Sequence, residues 1–517
     1  MDVKIFPGAL KGTVRAIPSK SMAHRALICA ALADADTYIE CCGGSGDIDA
    51  TIACLTALGA VIERDGRLGY MVRPVGAGSE LGGKPAVLRR GEPGGKPAVM
   101  QSSEPGGMSV VLQCGEPRDK PAVLRCGEPG GKPAVLRCSE PSGKPAILRC
   151  GESGSTFRFL LPLAGALGIC ASFILEGRLP ERPLSPLYEE LINHGQTLSP
   201  FGSVPFNASG RLAPGLYTLD AGVSSQFVSG LLFALPLLGG DSELRLTGKI
   251  ESFPYVELTM DMLETFGIQI QYNDGVFNIL GNQAYRSPGT VRVEGDWSNA
   301  AFWLSAGVIS AKPDNAGAYD ASLLIADAFD AITLNADQRN AVAGGVACTG
   351  LNPASRQGDR AVVDILRQFG AHVNINGQAA VAANGVMRGI EIDSAQIPDL
   401  IPILAVIGAA AEGTTVIRNA GRLRSKESDR LAAITGMLRD LGADASETGD
   451  GLVIRGGAAL AGGHTSSRGD HRIAMAAAIT ATICAKPVTI ANAEAVSKSY
   501  PGFFDDFRAL GGVVQTI

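Results

Sequence analysis

Aromatic residues are scarce in this sequence. Phe, Tyr and Trp together make 5% of 517 residues, with only two Trp. Stacking platforms for single-stranded nucleic acid need such rings, and any nucleic-acid footprint needs a basic face. With 45 Lys and Arg against 51 Asp and Glu, the net charge is −6, so no nucleic-acid partner is expected. Long apolar runs are missing too. Phe159–Leu175 and Ile397–Ala411 are the nearest, but both carry Pro and Gly and fall short of the ~20 residues a spanning helix needs. They read as buried elements, with no membrane partner. None of the 11 Cys forms a CxxC pair, and no His stands at zinc-finger spacing, so no metal is expected. Met1-Asp2-Val3-Lys4 opens straight into an apolar strand rather than a secretory leader. An odd number of thiols without a leader fits a reducing cytoplasm.

Repeats are present, and there are two kinds. From residue 79 to 150 a twelve-residue period runs through six copies, from GGKPAVLRRGEP to SGKPAILRCGES. Each joins a short β-prone stretch to a Glu-Pro turn signal. Stacked hairpins and a flexible excursion both fit, and an extended insertion is the expectation. Inside it Gly91-Glu92-Pro93-Gly94-Gly95-Lys96-Pro97 imitates a phosphate loop. It lacks one residue, and Pro97 stands where Ser or Thr must reach Mg²⁺.

The fainter repeat is a helix ending. LTALGA (55–60), LINHGQ (191–196), LETFGI (263–268), LRQFGA (366–371), LRDLGA (438–443) and FRALGG (507–512) each place Gly after an apolar pair. That is the signature of a helix closing in a left-handed cap, and in most copies strand-like residues follow. Six helix-and-strand units, three to a domain, predict an α/β protein of two similar domains.

Several polar clusters stand at helix starts. Ser19-Lys20-Ser21 and His24-Arg25 lead into an apolar helix, with Ser21 and Arg25 on one face. A helix N-terminus beside Lys and Arg is a natural anion site. Cys150-Gly151-Glu152-Ser153-Gly154-Ser155-Thr156-Phe157-Arg158 holds a Gly/Ser turn between strand and helix, able to turn backbone N–H groups on an oxyanion. The last repeat copy runs directly into it. Further on come Arg178-Leu179-Pro180-Glu181-Arg182-Pro183, Ser224-Ser225-Gln226 and Ser252-Phe253-Pro254-Tyr255. Asp399 interrupts an apolar run, which is costly unless the acid is paired or functional. The densest cluster is Arg422-Leu423-Arg424-Ser425-Lys426-Glu427-Ser428-Asp429-Arg430. Asp470-His471-Arg472 and Ser497-Lys498 follow.

In order and spacing, these motifs resemble the 5-enolpyruvylshikimate-3-phosphate synthases, along the whole chain apart from the insertion. The resemblance implies two similar domains, each of three βαβαββ units, of the inside-out α/β barrel type. One would be 20–293, containing the insertion 79–150, and the other 1–19 with 294–517. It implies a monomer without cofactor that moves enolpyruvyl from phosphoenolpyruvate to the 5-hydroxyl of shikimate 3-phosphate, releasing phosphate. By similarity Lys20, Gly154, Arg178, Gln226, Arg430, Arg472 and Lys498 hold phosphoenolpyruvate. Ser21, Arg25, Ser224, Ser225, Ser252, Tyr255, Asp399 and Lys426 hold shikimate 3-phosphate, and Lys20 touches both. Asp399 and Glu427 are expected to transfer protons, with Lys20 assisting.

The chain departs from the family pattern at two positions. Glu152 and Arg422 stand where Asn, or at the second position Asn or an acid, is usual, and both are left out of the expected site. Gly154 keeps the close approach that a side chain would block, so the resemblance also implies sensitivity to glyphosate. The related transferase acting on a UDP-sugar would carry Asn after Lys20, where this chain has Ser21. An inactive scaffold displaying the repeats is the reading from another class; the retained charged motifs weigh against it.

Overall fold

The computed structural model describes residues 1–66, 68–75, 110–111, 125–126, 145–220, 222–309 and 345–517. Two compact units are distinguished, Met1–Gly78 with Pro145–Ile517, and Ser79–Lys144. In the second unit the described residues are two short strands, Val110–Val111 and Arg125–Cys126, paired antiparallel. The other residues of that unit, and residues 310–344, lie outside the described residues. One boundary shifts from the expected 79–150. Ala146–Gly151, the end of the sixth copy, is a strand paired in parallel with Ala171–Leu175, so it belongs to the fold. Alternation explains this: Leu148 and Cys150 are fully buried while Ile147 faces out.

Among its described residues the first unit forms six four-stranded sheets. In each, one pair of strands is parallel and two are antiparallel. Ala146–Gly151, for example, is followed by helix Gly154–Leu167, parallel strand Ala171–Leu175, helix Leu187–Asn193, and the antiparallel strands Thr197–Leu198 and Phe206–Ser209. A parallel neighbour requires a crossover, and the intervening helix supplies it. Three sheets are completed from far along the chain. Thr290–Arg292 pairs with Thr37–Glu40, and Gly12–Arg15 with Val346–Thr349. Val3–Phe6 lies between Val488–Ala491 and Val513–Thr516.

The six helix endings form as their sequences require. Gly59, Gly195, Gly267, Gly370, Gly442 and Gly511 all have φ between +78° and +103°. A Cβ is strained there, which is why Gly recurs at this position. Buried apolar residues gather in two clusters. One draws on residues between Ala23 and Val293, the other on Val3–Val14 and on residues between Trp297 and Val514. The two apolar runs become helix Gly154–Leu167 with strand Ala171–Leu175, and helix Ile401–Ala410. Among the described residues no helix is long and apolar enough to cross a membrane.

Candidate active site

Helix beginnings build the site. Lys20, Gly154, Ser225 and Arg430 are the first residues of helices Lys20–Leu32, Gly154–Leu167, Ser225–Ala234 and Arg430–Asp440. Ser224, Ser252 and Asp470 occupy N-cap positions, and Asp399 stands just ahead of helix Ile401–Ala410. The first N–H groups of a helix lack intrahelical acceptors and carry partial positive charge, so these ends together favour an anion. They surround a cavity of about 350 Å³. Lys20, Arg25, Arg158, Arg182, Arg422, Lys426, Arg430 and Arg472 line it, against the carboxylates of Asp47, Asp399 and Glu427. That excess of cations suits a ligand with several negative charges.

Asp399 is the centre of charge. Its carboxylate accepts from Arg430 Nη1 at 2.8 Å and Arg472 Nη2 at 3.1 Å, with Lys426 Nζ 3.6 Å away. Burial alone would raise its pKa, but Arg472, Lys426 and Arg430 overcome that and hold it well below the usual carboxylate range. Glu427 behaves alike. Against burial, Arg430 (2.7 Å), Arg182 and Lys426 keep it ionised. Arg430 is 1% exposed and also donates to Asp470 at 2.8 Å, so a buried cation is matched by three carboxylates. Lys20 bonds Asp47 at 2.7 Å. Burial opposes its charge, but Asp47 and Glu427 keep the ammonium protonated and its pKa raised.

At Gly154, a Cβ would meet Arg182 Nη1 at 3.0 Å and Arg158 Nη1 at 3.2 Å. The missing side chain therefore lets two guanidinium groups approach the helix N-terminus. Arg158 Nη1 donates to Gln226 Oε1 at 2.7 Å, and Gln226 Nε2 donates to Ser155 Oγ at 2.9 Å. Arg182 Nε donates to Ser425 O at 3.2 Å, tying the two halves of the wall together. On the opposite side Arg25 donates to Thr259 Oγ1 and to the carbonyls of Ser21 and Tyr255. Tyr255 OH donates to Asp359 at 2.9 Å, and Arg422 donates to Ser252 Oγ and pairs with Glu251 at 2.8 Å.

Fourteen of the expected site residues line this cavity: Lys20, Ser21, Arg25, Gly154, Ser224, Ser225, Gln226, Ser252, Tyr255, Asp399, Lys426, Glu427, Arg430 and Arg472. Two do not. Arg178 is exposed at the start of the turn Leu179–Glu181, and Arg182 of the same motif lines the wall instead. Lys498 is turned to Glu152 and to the carbonyl of Gly469 (2.8 Å). Asp47, Arg158, Arg182, Arg422 and His471 are additions to the expected set. All but Asp47 sit inside motifs already singled out. His471 lines the cavity with neither ring nitrogen hydrogen-bonded among the described residues, and burial lowers its pKa to about 3. Among the described residues no group of three or more His, Cys, Asp or Glu side chains is placed to hold a metal ion.

Comparison with known proteins shows the family. The profile of the family described as EPSP synthase (3-phosphoshikimate 1-carboxyvinyltransferase) matches residues 6–95, 134–314 and 324–507. The 3-phosphoshikimate 1-carboxyvinyltransferase of Clostridium kluyveri is 36% identical, over 99% of this chain and 98% of that protein. Its namesake in Clostridium acetobutylicum is 37% identical, with the same coverage. In fold the chain is similar to EPSP synthase from Acinetobacter baumannii, with a TM-score of 0.67 and 22% identity over 100% of both chains. The enolpyruvyl transferase NikO from Streptomyces tendae follows, at 0.65 and 18% over 99% of this chain and 98% of that one. The chain belongs to the EPSP synthase family.

Proposed function

We propose that this protein is a 3-phosphoshikimate 1-carboxyvinyltransferase of the cytoplasm, a monomer of two similar domains, 20–293 and 1–19 with 294–517, each built from three βαβαββ units. Phosphoenolpyruvate is held by Lys20, Gly154, Gln226, Arg430 and Arg472, with Arg178 and Lys498 joining when ligand is bound. Shikimate 3-phosphate is held by Ser21, Arg25, Ser224, Ser225, Ser252, Tyr255, Asp399 and Lys426. The observation that carries this reading is the cavity itself, in which eight cationic side chains enclose two strongly acidic carboxylates. Phosphate and carboxylate groups match guanidinium donors in pairs, which is what two anionic substrates need.

The chemistry follows from the protonation states. The 5-hydroxyl loses a proton as its oxygen bonds C2 of phosphoenolpyruvate, and C3 gains one. The tetrahedral intermediate then loses a proton from C3 and expels phosphate. Asp399 and Glu427 begin ionised and so begin as proton acceptors. Lys20 begins charged, and of the three it alone begins as a donor. Arginines fixed before substrate arrives stabilise developing charge without reorganising.

Phosphate release by the purified chain tests this. Release is expected with phosphoenolpyruvate plus shikimate 3-phosphate, with inhibition by glyphosate, and none with UDP-N-acetylglucosamine as acceptor. Release only with the UDP-sugar would transfer the chain to the other reaction. Silence with both from folded protein would leave a binding protein.

A further inference from the structure

Lys498 is expected among the residues that grip phosphoenolpyruvate, yet it does not line the cavity. Two of its three protons are engaged, by a carboxylate oxygen of Glu152 and by the carbonyl of Gly469. The backbone is already in place for a role at the cavity. Its Cα lies 3.8 Å from where a Cβ on Gly46 would stand, at the start of the helix that carries Asp47, the partner of Lys20. Only the side chain has to swing.

Glu152 is positioned by the fold. It follows Gly151, whose φ of +54° turns the chain, and precedes Ser153, the N-cap of the Gly154 helix. Its carboxylate packs over Gly177, where φ is again +54° and any Cβ would collide with it. The next residue is Arg178, the other expected ligand that lies outside the cavity. Both absentees therefore lie beside Glu152, one bonded to it and one next in sequence to the glycine it covers. Lys20 is also paired, with Asp47, but there both side chains are 17% exposed. In the Lys498–Glu152 pair exposure rises to 23% and 36%. Solvent screens the more exposed pair, so it is the one an incoming anion breaks.

We propose that Glu152 is an internal competitor for phosphoenolpyruvate, an anionic side chain that keeps Lys498 outside the cavity until the substrate displaces it. This rests on the transferase reading above. It makes Glu152 a determinant of affinity for the anionic donor substrate, and not a catalytic residue.

Glu152→Gln preserves shape and removes the charge. At saturating shikimate 3-phosphate its KM for phosphoenolpyruvate should fall about three- to tenfold, with kcat within about threefold and the KM for shikimate 3-phosphate unchanged. Inorganic phosphate, a small anion competing for the same cations, should inhibit at correspondingly lower concentration. In a Lys498→Met background the same substitution should leave the KM for phosphoenolpyruvate where it was. An unchanged or raised KM in a Glu152→Gln protein that melts like wild type would overturn the proposal. So would an equal fall without Lys498. Glu152→Asn serves if the glutamine variant does not fold. Absence of wild-type turnover would instead sink the transferase reading.

Discussion

Lys426 is a cavity cation whose charge changes near neutral pH. Burial is the main cause, Arg430 and Arg422 add to it, and Asp399 and Glu427 oppose, leaving a pKa of about 8. Its ordinary value is 10.5, so between about pH 8 and 10.5 the unfolded chain holds a proton that the folded chain has released. The charged lysine thus costs stability below about pH 8, and that cost is relieved as pH rises through this window. Anion binding runs the other way, since it needs the ammonium. In wild type, kcat/KM for shikimate 3-phosphate should fall about tenfold per unit above pH 8. Lys426→Arg, which stays charged, should carry that limb beyond pH 9.5 in a pH–rate profile. A profile identical in the two proteins would remove Lys426 from substrate binding. Short motifs made most of this site legible, because Lys426, Glu427 and Arg430 lie within five residues. Side-chain direction is not legible in the same way. Arg178 and Arg182 share one motif, and only packing shows that Arg182 faces Gly154 and Glu427. Asp47 carries no motif at all, and its pairing with Lys20 spans two helices.

Between elements, one tight approach near the site is made by a glycine. Pro162, inside helix Gly154–Leu167, has no N–H for the carbonyl of Arg158 one turn earlier. Gly230 of helix Ser225–Ala234 lies directly on that carbonyl, and a Cβ there would collide with it and touch Pro162 Cγ at 3.2 Å. The same helix pair presents Gly154, Ser155, Arg158 and Gln226 to the cavity. Gly230→Ala should push the helices apart, lowering stability by about 1–3 kcal/mol in urea titration. It should also raise the KM for phosphoenolpyruvate more than that for shikimate 3-phosphate, since Gln226 would lose its bonds to Arg158 and Ser155. Equal effects on both would mean the spacing matters only for stability. The sequence announces the ends of such helices, because a left-handed cap selects Gly whatever surrounds it. It does not announce Gly230, whose requirement comes from a neighbour about seventy residues earlier.

Across the whole molecule, six repeated units were countable from helix endings, but their closure was not. The strands Val3–Phe6 and Gly12–Arg15 complete sheets with partners beyond residue 345, and no local pattern encodes such pairings. The twelve-residue repeats raise the same problem of scale, since they stand between two units just ahead of the Gly154 loop. Strand Gly69–Arg73 is in place before them, paired with Thr37–Glu40 and Val61–Asp65. Strand Ala146–Gly151 is in place after them, held by Ala171–Leu175, with Leu148 and Cys150 in the core. The loop is thus anchored by the strand that ends the last copy. Deleting residues 79–138 keeps that strand and leaves 76–78 and 139–144 as the link. Because a shorter loop also costs less closure entropy, the variant should fold at least as stably as the full chain. Its kcat/KM for both substrates should stay within about threefold of the full-length value, measured by phosphate release. Misplacement of the Gly154 loop by 1 Å would cost about a hundredfold, so the two outcomes are well separated. Retained turnover would make the repeats dispensable for catalysis. Lost turnover in a folded variant would show that they hold the loop in register.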